Sequence, residues 1–211
     1  MHDLVDREYI RRHPGQVIKT FGLRAYVRAM ASPKTGLLEQ VAERYIDRGI
    51  PMPGRLGNAY RLSALLELRV ARIYAAMGRR FTDSAPVREF FAKLQAEEEE
   101  HGRIMLLCLY TVDARGEQGY VPSVRDPEIR DLLGELRAHE RNAWRLSLDE
   151  ALELTDSLEA SEVNVIFDRL LAQVSSPKTD FFIDQLARAE GHATVVPRRI
   201  QALRERLALG H

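Results

Sequence analysis

Residues 61–77 read RLSALLELRVARIYAAM, with neither glycine nor proline among them. Their apolar side chains recur every three or four positions, the period of a helix with one buried face. Tyr60, Ala64, Val70, Ala71 and Tyr74 share that face, while Arg61, Arg69, Arg72 and Arg79 lie opposite. One carboxylate, Glu67, falls among the apolar residues. The segment is therefore expected to be a long helix that buries an acid. A buried carboxylate without a partner is costly, so the rest of the chain must supply compensation.

The same period extends through most of the 211 residues. It predicts four long helices. The first runs from about 58 to 80. The second follows DSAP at 83–86 and ends near Tyr110. The third opens at SLDE and runs from about 147 to 174, and the fourth runs from about 177 to 208 with a kink at Pro197. A crossing segment at 112–127 and a connecting helix that starts DPEIRDLL lie between the two pairs. On that helix, His139 and Glu140 are expected in solvent. Strand-like alternation is nearly absent. The fold class expected is all-α, with two long hairpins joined by a crossover into a four-helix bundle over 55–211. Residues 1–54 form a helical extension. HPGQVIKTFGLRAYVRAM reads as one short helix, SPKTGLLEQVAERYIDRG as a second, and IPMPGRLGN as a break before the bundle.

Charge and cysteine usage act by exclusion. Lys+Arg and Asp+Glu both number 31, so a net charge of +0 gives no electrostatic reason to expect nucleic acid or an anionic membrane as a partner. No apolar run approaches the roughly 20 residues of a membrane span. Cys108 is the single cysteine, which rules out an intrachain disulfide or a thiolate metal cage. A soluble cytoplasmic protein is expected, with a homodimer as an assembly to consider.

Helical phase sorts the acids in AEEEEHG at 96–102. Taking Glu98 as reference, Phe91, Leu94, Met105 and Leu109 fall within about 40° of it and His101 about 60° to one side. Glu99 and Glu100 point away and are expected in solvent, and Glu97 is borderline. On the third helix, Glu159 shares a stripe with Leu148, Leu152, Val163, Ile166 and Leu170, and Glu162 follows one turn later. Three helices thus direct carboxylates inward, and cations must balance them. A metal pair would do so: Glu98-x-x-His101, one Glu on each of two other helices, and a second helix bearing a histidine fit a dinuclear bundle site. Oxygen-rich ligands with a few imidazoles favour iron or manganese over zinc. FFAKLQAEEEEH at 90–101 aligns with FFIDQLARAEGH at 181–192 at five of twelve positions, including His101 with His192, which brings His192 into the candidate set.

Through ALLELRVARIY, AEEEEHG and SLDEALELTDSLEASEVNV, residues 58–208 resemble the ferritin-like superfamily, and within it the rubrerythrin-like di-iron proteins. The resemblance implies that Glu67 and His101 bind one metal and that Glu98 bridges. Glu159 and Glu162 would serve a second metal or move between the two. It implies iron, as two ions or as one in a degenerate site, with O2 or H2O2 as the small-molecule substrate. The chain departs from the family where Ala189 stands in place of the glutamate of a second Glu-x-x-His, next to Arg188. No tetracysteine electron-transfer module is present, so electrons would come from a separate donor. The expectation is a carboxylate and histidine metal protein with oxidase, peroxidase or oxygenase chemistry. The alternatives are a bundle that has lost its metal and an assembly that oxidises or stores iron. Tyr74 is expected first as a core aromatic.

Overall fold

The computed structural model describes residues 7–31, 54–111, 121–173, 181 and 192–209. Their regular structure is helical throughout, with no strand among the described residues. Chain order gives α1 (Arg7–Arg12), α2 (Pro14–Phe21), α3 (Leu23–Ala31), α4 (Gly54–Arg80), α5 (Ala85–Thr111), α6 (Pro127–Asn142), α7 (Leu148–Glu159), α8 (Glu162–Leu171) and α9 (His192–Leu209), with a short 3₁₀ turn at Ala143–Arg145. The all-α class is as expected. No helix among the described residues is long and apolar enough to cross a membrane.

The α4–α5 hairpin organises the molecule. Each helix has 27 residues, about 40 Å of rise. The connection is only residues 81–84, which forces the two helices antiparallel. Near the turn, Tyr74 of α4 stacks on Phe91 of α5 with ring centroids 6.4 Å apart. Further along, Gly102 of α5 lies against Ala64 and Leu68 of α4: a β-carbon on Gly102 would sit 3.1 Å from Leu68 Cγ. Glycine therefore allows close approach next to His101. Leu66, Ile73 and Met77 of α4 and Leu94, Ile104 and Met105 of α5 are buried in the core.

The third predicted helix is two helices. α7 opens at SLDE, as expected, with a capping box in which Ser147 and Glu150 each bond the other's backbone N–H. It ends at Glu159. Ser161 then caps α8, its hydroxyl accepting from the Val163 N–H at 3.3 Å, and the Asn164 side-chain amide donates to the Glu159 carbonyl at 2.8 Å. Short polar side chains thus satisfy backbone groups that a continuous helix would pair internally. The break separates two packing tasks: α7 lies against α9, whereas α8 lies against α4 and α5. Tyr60 of α4 donates to the carbonyl of Leu170 in the last turn of α8 at 3.3 Å.

Three smaller expectations also change. The segment read as one N-terminal helix divides at Gly22, whose φ of 88° favours glycine. The first long helix begins at Gly54, with Gly57 buried inside it rather than in a break. Glu140 is half-buried: it accepts from Arg69 and Arg72 of α4, both at 2.7 Å, and ties α6 to the outer face of α4. Pro197 lies inside α9 without ending it. The N-terminal helices pack on one another, and Phe21 meets Phe181 edge-on at 4.9 Å. The helix expected over SPKTGLLEQVAERYIDRG lies outside the described residues, as does the crossing segment through residue 120.

Candidate metal centre

Glu67 of α4 and Glu98 and His101 of α5 converge at the centre of the hairpin. All three are buried, Glu67 completely. One ligand atom from each lies within 4.8 Å of the others. The antiparallel hairpin sets Glu67 opposite the 98–101 turn, and the i, i+3 spacing places Glu98 and His101 on adjoining faces of one helix. His101 Nδ1 is 3.4 Å from Glu98 Oε2 and 3.7 Å from Glu67 Oε2. These separations are at or beyond hydrogen-bond length, so the contacts are chiefly electrostatic. The imidazole ring lies against Phe167 of α8, with centroids 4.7 Å apart.

Neither oxygen of Glu67 accepts a hydrogen bond from a described residue. Ser63, one turn earlier and fully buried, has a hydroxyl in the same condition. Burial raises the Glu67 carboxyl well above the ordinary carboxylate range, the neighbouring Glu98 raises it further, and His101 opposes both. For His101, burial favours the neutral ring, but Glu67 and Glu98 outweigh it and hold the pKa well above the usual histidine value. Among the described residues, the pocket therefore sets two carboxylates against one imidazole and leaves the Glu67 oxygens without a hydrogen-bond donor. A metal ion fits that set. Carboxylate oxygens and one imidazole nitrogen suit a hard or borderline divalent ion. Burial pushes the Cys108 thiol up to about 12, so a thiolate does not contribute.

Glu159 is buried, as its stripe implied, but stands outside the group of three. Its Oε1 accepts from the Tyr74 hydroxyl at 2.7 Å. Tyr74 is a core aromatic and a hydrogen-bond donor at once. Burial raises its phenol well above its ordinary value, and the charges of Glu159, Glu98 and Glu67 act in the same direction. Glu162 is the first residue of α8, not the next turn of a helix continuing from Glu159, so the phase argument that paired the two fails at the break. The Glu162 and His192 side chains lie outside the described residues, as do Arg188, Ala189 and Glu190 and most of the second copy of the internal echo.

The remaining glutamates of AEEEEHG correct the helical-phase reading. Glu97 is buried and bound by Arg199 of α9, whose guanidinium nitrogen lies 3.0 and 2.7 Å from its two oxygens. Glu99 and Glu100 are half-buried instead of solvated. Gln95 and Arg103 both donate to Glu99 along the helix surface. The sequence signal for the Glu97 pair was weak: an acid at the edge of a stripe and an arginine 102 positions away. Comparisons of the chain with protein-family models, with curated proteins and with solved structures return no match.

Proposed function

We propose that the chain is a metal-binding protein whose centre is formed by Glu67, Glu98 and His101 and takes one divalent ion per chain. The observation that carries this reading is the fully buried Glu67 carboxylate, which has no hydrogen-bond donor among the described residues in a pocket already holding Glu98. Buried polar groups are nearly always paired, and a buried acid without a cation is among the costlier exceptions. Carboxylate, carboxylate and imidazole favour iron or manganese. Three protein ligands leave coordination positions open. A bound ferrous ion would supply one-electron chemistry toward O2 or peroxide, with a separate donor returning electrons. The protein residues would fix the ion, hold the imidazole in place against Phe167 and exclude bulk water. The ferritin-like, di-iron form of this reading requires further ligands from the Glu159, Glu162 and His192 set.

The second reading is a metal-free helical module in which His101 is protonated between the two acids. Its support is the placement of Nδ1 toward both Glu98 and Glu67. It leaves Glu67 without a hydrogen bond, so we favour the metal. Equilibrium dialysis against Mn2+ followed by elemental analysis separates the two. The metal reading expects one ion per wild-type chain. Glu67→Gln and Glu98→Gln should weaken binding by at least the roughly 10- to 100-fold typical of lost outer-shell partners. Folded wild-type protein that retains no manganese or iron would favour the metal-free module.

A further inference from the structure

Ser63 of α4 is fully buried, and its hydroxyl has no hydrogen-bond partner among the described residues. A buried hydroxyl on a helix can bond the carbonyl four residues back. Thr155, equally buried, does so and donates to the Ala151 carbonyl at 2.8 Å. Ser63 does not, and an unpaired buried hydroxyl costs stability that an alanine would not. Its place in the fold is specific. Ser63 precedes Glu67 by one turn of the same helix, which sets their β-carbons about 5–6 Å apart. Helical side chains lean toward the N-terminus, so the Glu67 side chain reaches back over the turn that carries Ser63. The two groups still do not bond each other, since both Glu67 oxygens are also unpaired. α8 packs on α4 over this stretch: Phe167 lies against His101 beside Glu67, and the Leu170 carbonyl accepts from Tyr60. A guest with one oxygen or nitrogen atom between Ser63 and Glu67 would pair what the protein leaves unpaired.

We infer that Ser63 is a positioning residue for the small exogenous ligand of the centre, and that its hydroxyl holds a water molecule or a small anion beside Glu67. This inference rests on the metal reading above, which leaves coordination positions for such a ligand. A serine hydroxyl donates to an anion and accepts from water, so it serves either guest. It carries no charge, so the hold on the ion itself stays with Glu67, Glu98 and His101. Ser63→Ala should therefore separate two properties that damage to the fold would lose together: metal affinity is kept and exogenous-ligand affinity falls.

Azide titration of the Co2+-loaded protein, followed by visible absorption, tests this. Azide should shift the cobalt bands of wild type. Ser63→Ala should leave cobalt affinity within about threefold, below the roughly 10- to 100-fold cost of disturbing a ligand's support. The same variant should weaken azide binding by about 10-fold, the scale of one hydrogen bond to a charged group. Its metal-free form should unfold at a urea concentration no lower than wild type, because the hydroxyl makes no bond within the described protein. Equal azide affinity in wild type and Ser63→Ala would overturn the inference and leave the metal reading intact. So would cobalt bands of wild type that do not respond to azide. A parallel 10-fold loss of cobalt affinity would make Ser63 a part of the metal shell, and a lowered urea midpoint would make it a structural residue; either result overturns the inference alone. Absence of cobalt binding in folded wild type would overturn both.

Discussion

The buried acids among the described residues have different kinds of counterpart. Glu97 has Arg199, Glu159 has the Tyr74 hydroxyl, and Glu67 and Glu98 both face His101. The first two arrangements are locally complete. The third carries two carboxylates against one imidazole. Two predictions follow at this scale. Arg199→Met should leave Glu97 buried without its cation. Removing one partner of a fully buried pair costs about 3–5 kcal/mol, and the 23% exposure of Arg199 reduces this to roughly 1–3 kcal/mol, measurable by urea unfolding. The second prediction concerns pH. In the folded metal-free chain Glu67 and His101 keep protons above their ordinary values of 4.5 and 6.5, where the unfolded chain has released them. Their contribution is fully present below those ordinary values and is lost as pH rises through the raised folded values. Metal must displace the same protons, so its binding strengthens as pH rises. At 100 times Kd a ligand stabilises by about 2.7 kcal/mol, on the order of 5–10 °C for a chain this long. The Mn2+-induced rise in Tm should therefore be larger at pH 8 than at pH 5.5. An equal or reversed dependence would show that the ion binds elsewhere.

At the scale of elements, α4 and α5 form the site and α8 covers it. Helical phase in the sequence was enough to turn Glu67, Glu98 and Glu159 inward, because uninterrupted apolar stripes fix their direction. It was not enough for Glu97, which lies about 100° from Glu98 and meets a helix that no local pattern can locate. The division after Glu159 was hidden for another reason. Ala160 is a strong helix former, and no glycine or proline marks the change. The available signal was Ser161 with Asn164, two cap-forming residues inside an otherwise apolar stretch. Ser161→Ala removes the hydroxyl that accepts from Val163 and should cost about 1 kcal/mol in chemical denaturation. Gly102 matters through proximity. An alanine there gains roughly 0.5–1 kcal/mol of helix preference but places its β-carbon 3.1 Å from Leu68 Cγ. Mild overpacking costs about 1–3 kcal/mol, so Gly102→Ala should be neutral to destabilising and should weaken metal binding by separating α4 from α5. Tighter metal binding by this variant would mean that the wild-type interhelical distance is not set for the ion.

For the whole molecule, the all-α architecture was legible because helix periodicity runs through most of the chain. The connection between helices and the balance of buried charge required coordinates. Net charge is zero over the chain, yet the centre of the α4–α5 hairpin places two buried carboxylates, Glu67 and Glu98, beside one imidazole among the described residues. We propose that a metal ion at Glu67, Glu98 and His101 balances these acids. The most direct measurement is anomalous scattering from crystals grown with Mn2+. The predicted result is one strong peak per chain within bonding distance of a Glu67 oxygen, a Glu98 oxygen and His101 Nδ1. A well-ordered pocket with no peak at those three atoms, or with the only peak elsewhere, would contradict it.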